Sequence, residues 1–194
     1  MADMTARLYD RHGALHHLDV MAGATVYRVF LLASTLQVDL AFAPRAEFGA
    51  RAPTFRLLSG EAADRPHVPP PAVDRLIGWG WLYALHARSS LARGRVWQAE
   101  YMISGVRDQV LALACRRHDL PAVEGRGMDR LPKALLARLE GALVRELGAA
   151  ELGRALRVAV DGLSAEIRHA RPDIAARLDG TLRELAGSAG EPAV

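Results

Sequence analysis

Hydrophobic and polar positions follow two different rules along this chain, and the change falls near residue 70. Ahead of it, short β-favouring runs alternate apolar and polar residues. Behind it, apolar residues recur every three or four positions. The opening stretch Ala2–His12 reads as a short helix, with Met4, Leu8 and the stem of Arg7 on one side and Gly13 to end it. Leu15–Val20 is a plausible strand, and Met21–Ala24 a turn. Thr25–Leu32 carries Val26, Tyr27, Val29 and Phe30, whose branched and aromatic side chains suit a pleated surface. Ala33-Ser34-Thr35 is a tight connection to Leu36–Phe42, so these two runs predict a hairpin closed by Pro44. Phe55–Leu58 adds a short edge strand.

Gly60, Asp64, Pro66 and the triplet Pro69-Pro70-Pro71 mark a stiff linker. Five helices are expected after it: Ala72–Arg93, Arg95–His118, Pro132–Leu147, Glu151–His169 and Asp173–Ala186. The third repeats leucine at 131, 135, 139 and 143. The fourth carries Leu152, Leu156, Val160, Leu163 and Ile167. Each set is a single apolar stripe, which a helical bundle buries. The expected fold class is α+β: a small mixed or antiparallel sheet in residues 1–62, a Pro-rich linker in 63–71, a helical bundle in 72–187 and a frayed tail in 188–194.

Composition changes this picture little. Of 194 residues, 51% are hydrophobic and 24% charged, which is ordinary for a globular protein, and a net charge of +3 gives no reason to expect nucleic acid as a partner. Basic residues are almost all arginine, Lys133 being the one lysine. A single cysteine, Cys115, allows no internal disulfide and fits a reducing cytosol. No apolar run is long enough to span a membrane, and the N-terminus lacks the apolar segment of a signal peptide. The expected setting is therefore cytoplasmic, without a membrane partner.

Two places suggest chemistry. In the strand Leu36-Gln37-Val38-Asp39-Leu40-Ala41-Phe42, alternation sends Leu36, Val38, Leu40 and Phe42 to one face and Gln37, Asp39 and Ala41 to the other. Asp is disfavoured mid-strand, so Asp39 is either a solvated residue or a metal ligand or base projecting from a sheet. The second place is the helix Arg95–His118. Ala99, Met102, Ile103, Val106, Val110, Leu113 and Ala114 share a core face. The opposite face mixes Trp97, Glu100, Tyr101, Ser104, Arg107, Asp108, Leu111 and Cys115. Glu100, Arg107 and Asp108 have no opposite charge three or four positions away, so they are solvated, pair with other helices or meet a ligand. Trp79, Trp81 and Tyr83 are expected in core or interdomain packing. His16 and His17 lack neighbours spaced for a metal site.

The runs Tyr27–Leu32 and Leu36–Phe42, followed by Phe48-Gly49 and Phe55–Ala62, resemble the end of the nucleotidyltransferase core, in the superfamily of the aminoglycoside- and lincosamide-modifying enzymes. The resemblance covers roughly residues 5 to 185. It implies transfer of a nucleotidyl group from a magnesium nucleoside triphosphate, ATP or another, to a small hydroxylated acceptor. Asp39 would be a metal ligand. Glu100 would be the base, with Asp108 second. Arg107 would contact phosphate, and Trp97, Tyr101 and Ser104 would line the acceptor pocket. The family pattern also has Gly-Ser and Asp-x-Asp upstream of the Asp39 strand, and neither occurs there. Transfer is thus expected only if those groups are supplied. The alternative is a catalytically dead remnant that binds a ligand or partner, with a sheet edge free for homodimerisation. A helical RNase of the toxin–antitoxin type fits less well, because Arg116 and Arg117 stand too close to His118.

Overall fold

The computed structural model describes residues 1–50, 54–64 and 69–187. It is an α+β structure that divides into two compact units, residues 1–68 and 69–194.

The first unit is a three-stranded antiparallel meander, β1 (Ala14–Ala22), β2 (Thr25–Leu32) and β3 (Gln37–Phe42), in spatial order β1-β2-β3. Helix α1 (Ala2–His12) precedes it and ends on Gly13, whose φ of 67° is the left-handed turn that glycine adopts without penalty. The register pairs His17 with Phe30 and Phe30 with Val38, and Asp19 with Arg28 and Arg28 with Leu40, so these residues share one face. Helix α1 covers that face: the Tyr9 ring meets Phe30 edge-on at 6.2 Å, and Thr5 Oγ1 accepts from Arg28. Phe30 is fully buried there. Arg28 reaches both oxygens of Asp19, which holds the Asp19 carboxyl below its ordinary range. The expected edge strand at Phe55–Leu58 does not form. What the chain does after β3 is a short 3₁₀ turn, Arg45–Glu47, and one isolated bridge between Gly49 and Ala63.

The second unit is helical: α2 (Val73–Ala92), α3 (Val96–Arg117), α4 (Lys133–Leu139), α5 (Ala149–Ala170) and α6 (Pro172–Gly187). Helices α2 and α3 form an antiparallel pair with α5 packed on both. The expected stripes are the core: Ile103, Val106, Val110, Leu152, Leu156, Val160, Leu163 and Ile167 are all essentially inaccessible. Gly105 lets α2 approach α3 closely, since a Cβ there would lie 2.8 Å from the Tyr83 ring. Among the described residues one carboxylate lies inside. Arg117 on α3 donates from Nε and Nη2 to the two oxygens of Glu166 on α5, at 2.9 and 2.8 Å, and Glu166 is 3% exposed.

The third bundle helix is shorter than the leucine pattern implied. Residues 131, 135 and 139 are buried, but Leu143 is 46% exposed, and the helix gives way to a 3₁₀ turn at Glu140–Ala142. The cause is Arg154 on α5. Its guanidinium takes the carbonyls of Gly141 and Leu143, which a continuing helix would have used itself. Glu151 completes the clamp by accepting from Arg154 and from the Arg145 backbone N–H.

Those hydrogen bonds, Arg154 first, pull the Glu151 carboxyl from an ordinary value of 4.5 to about 2. A carboxyl depressed on folding stabilises the fold above its unfolded pKa and loses that effect as pH falls. Stability should therefore decline as pH drops from 4.5 towards about 2. In Glu151→Gln this part of the decline should vanish. Thermal midpoints across that window check it; parallel curves for the two proteins would refute the assignment.

Candidate functional site

The expected site residues fall in both units: Asp39 in the first, and Trp97, Glu100, Tyr101, Ser104, Arg107 and Asp108 in the second.

Asp39 occupies the middle of β3 on the face opposite α1. Burial alternates along the strand as expected, with Gln37, Asp39 and Ala41 exposed and Val38, Leu40 and Phe42 half-buried. Its cross-strand partner is Val29, and Ala41 faces Tyr27 one step further along. Among the described residues its side-chain partner is Gln37, whose Nε2 lies 3.0 Å from each carboxylate oxygen. An amide neutralises no charge, so the carboxylate remains free to meet a cation or accept a proton. Among the described residues no three His, Cys, Asp or Glu side chains gather closely enough to hold a metal ion. The described residues thus form no closed metal cage around Asp39.

On α3, the face opposite the core is assembled as the helical spacing requires. Trp97 and Tyr101, one turn apart, are 74% and 65% exposed. Glu100 accepts a 2.7 Å hydrogen bond from the Ser104 hydroxyl, and Arg107 reaches Asp108 at 3.1 Å. Among the described residues the three charges thus find local partners. A serine four residues on satisfies a carboxylate without neutralising it, and the adjacent Arg107–Asp108 contact lies at a spacing outside the helix rule. Cys115 departs from this face. It is fully buried, because the chain after Asp119 turns back and brings Ala122 and Leu131 into the same core. Burial pushes its thiol up in pKa, making it an inert core residue.

The remaining sequence candidates have structural explanations. His17 Nδ1 lies 2.7 Å from the Tyr9 hydroxyl. Trp79 and Trp81 are 41% and 39% exposed, so they are not core residues, and Trp79 stacks on Tyr83 at 5.4 Å.

Sequence reasoning missed a cavity on the Asp39 face of the sheet. It is about 280 Å³ and open on one side, walled by Thr25, Tyr27, Ala41, Phe48 and Phe55, with Glu47 also lining it. The available signal was a pair of phenylalanines bracketing a turn-rich segment directly after β3.

No family model matches the chain, and no curated protein matches it either.

Proposed function

We propose that this chain is a nucleotidyltransferase-like protein, with Asp39 as one carboxylate of the site that handles a magnesium nucleoside triphosphate. The observation that supports the reading is Asp39 itself: an exposed mid-strand carboxylate on a sheet face, with an amide and, among the described residues, no cation paired with it. A strand fixes the direction of such a side chain better than a loop does, which suits an ion ligand. Bound Mg²⁺ would supply charge neutralisation at the phosphates. Asp39 would orient it, and the further carboxylates that such a site needs are not among the described residues.

Calorimetric titration with MgATP tests this. The chain should bind MgATP, and Asp39→Asn should weaken that binding by about tenfold or more. Binding of ATP in EDTA should be equal in the two proteins. Equal MgATP affinity in the variant would remove Asp39 from the site.

A second reading, a ligand- or partner-binding module without catalysis, is favoured by the exposed aromatics Trp97 and Tyr101 beside Glu100 and Asp108. No binding of MgATP at all would select it.

A further inference from the structure

Strand β1 is the outer strand of the sheet on one side. The Ala33 N–H donates to Gly13 on the β1 side, and the Leu32 N–H to Leu36 on the β3 side. Even-numbered residues of β2 therefore bond to β3 and odd-numbered ones to β1. By the register, His16, Leu18 and Val20 turn their backbone groups to Leu31, Val29 and Tyr27, while His17, Asp19 and Met21 point theirs outward. Edges are usually blunted by lysine, proline, a bulge or shortness. Strand β1 is nine residues long and has no lysine or proline, and its irregularity lies at its start, between Ala14 and His16. Its apolar side chains are open: Leu18 is 61% exposed and Met21 63%. The opposite edge, β3, has six residues and runs towards Pro44.

We propose that β1 pairs antiparallel with β1 of a second copy of this chain, centred on Leu18, so that two sheets join edge to edge. The sequence His16-His17-Leu18-Asp19-Val20 is self-complementary in that arrangement. Leu18 faces its copy, His17 faces Asp19 in both directions, and His16 faces Val20. The outward backbone groups of His17 and Asp19 then fall in hydrogen-bonded pairs, as an antiparallel ladder requires. The side chains match as well. Asp19 is a carboxylate on the edge strand, and His17 meets the Tyr9 hydroxyl through Nδ1, which leaves Nε2 to meet a carboxylate. Such cross-strand pairs favour one register. A slip of two residues either way would set Asp19 against Asp19 or His17 against His17, and like charges directly opposite are destabilising. A slip of one residue would set outward backbone groups against inward ones.

Sedimentation equilibrium of the full chain tests this. The native chain should associate reversibly into a species of two chains. Leu18 is exposed, so Leu18→Lys leaves the packing of one copy alone while setting two ammonium groups face to face. It should weaken association about tenfold or more. Cysteine variants read the register. Leu18→Cys brings two thiols together at a pair whose Cα atoms lie about 4.5 Å apart, within disulfide range, and should cross-link under mild oxidation. Val20→Cys lies on the same face but about 14 Å from its copy, and should not. Cys115 is fully buried and should leave the native chain unlinked. Three results would each overturn the proposal: a native chain still monomeric at about 0.1 mM, equal association in Leu18→Lys, or cross-linking of Val20→Cys as fast as that of Leu18→Cys. A dimer that binds no MgATP would keep this interface while the nucleotidyltransferase reading fails.

Discussion

Replacing Arg117 by Met should cost about 3 kcal/mol of folding stability, the upper end of the cost of leaving a buried acceptor without its donors. The geometry explains why the arginine, not the glutamate, is the sensitive half. Glu166 has a side chain only 4% exposed, while Arg117 is 33% exposed and can turn to water if abandoned. The pair is bidentate, so both carboxylate oxygens lose their donors at once. The hydrogen bonds from Arg117 also raise its own already high pKa, so it stays charged at every pH where the protein folds. Adding Glu166→Leu should recover most of the loss, since an apolar pair of similar volume leaves nothing unsatisfied. Urea unfolding of the single and double variants measures both effects. A single-variant loss below about 1 kcal/mol would show that water already reaches Glu166.

Gly127→Ala should destabilise the helical unit by about 3 kcal/mol, at the upper end of the overpacking range. The residue has φ −103°, so conformational strain is not the reason. The added Cβ would land on the Pro121 carbonyl oxygen, inside van der Waals contact, and 2.9 Å from Leu120 Cβ. Neither neighbour is the end of a flexible side chain, so the backbone of the α3–α4 connection must move. That connection carries Ala122 and Leu131 into the core, and a shift there disturbs packing beyond the turn itself. The same change at Gly180, where nothing lies within 4 Å, should be harmless and serves as the control. Thermal denaturation of the two variants side by side is the measurement, and similar midpoints would refute the steric account.

The elements that local pattern dictates were legible. Strand β2 lies where its branched residues placed it, and α1 stops at the glycine expected to stop it. Helices α2, α3, α5 and α6 follow their apolar stripes to within two residues at each end. What escaped was set from a distance. Helix α4 looks continuous to Leu147 in sequence, but the carbonyls that would extend it belong to Arg154, thirteen residues beyond Gly141. Phe55 to Leu58 looks like a strand, but the bridge that forms joins Gly49 to Ala63 instead. The expected linker residues 65–68 and tail 188–194 lie outside the described residues.

The same distinction holds for the sites. The exposed face of β3, with Asp39 on it, was legible because alternation is a period-two rule that needs no tertiary knowledge. The partners of Glu100, Arg107 and Asp108 lie outside the pattern of opposite charges three and four positions apart: Glu100 is met by a serine hydroxyl and Arg107 by its immediate neighbour. The cavity walled by Tyr27, Phe48 and Phe55 could not be read at all, because its walls come from two strands and a loop.

The meander has a consequence for how the chain is made. Every strand pairs with the strand next to it in sequence, and each turn closes a loop of only a few residues. Such pairing needs little search. On a ribosome the N-terminal part emerges first. All three strands can therefore assemble once Phe42 is clear of the exit tunnel, while α2 is still unborn. The helical unit has no such freedom. Arg171 must wait to meet Asp74, 97 positions earlier, so α6 closes onto α2 only when synthesis is nearly over.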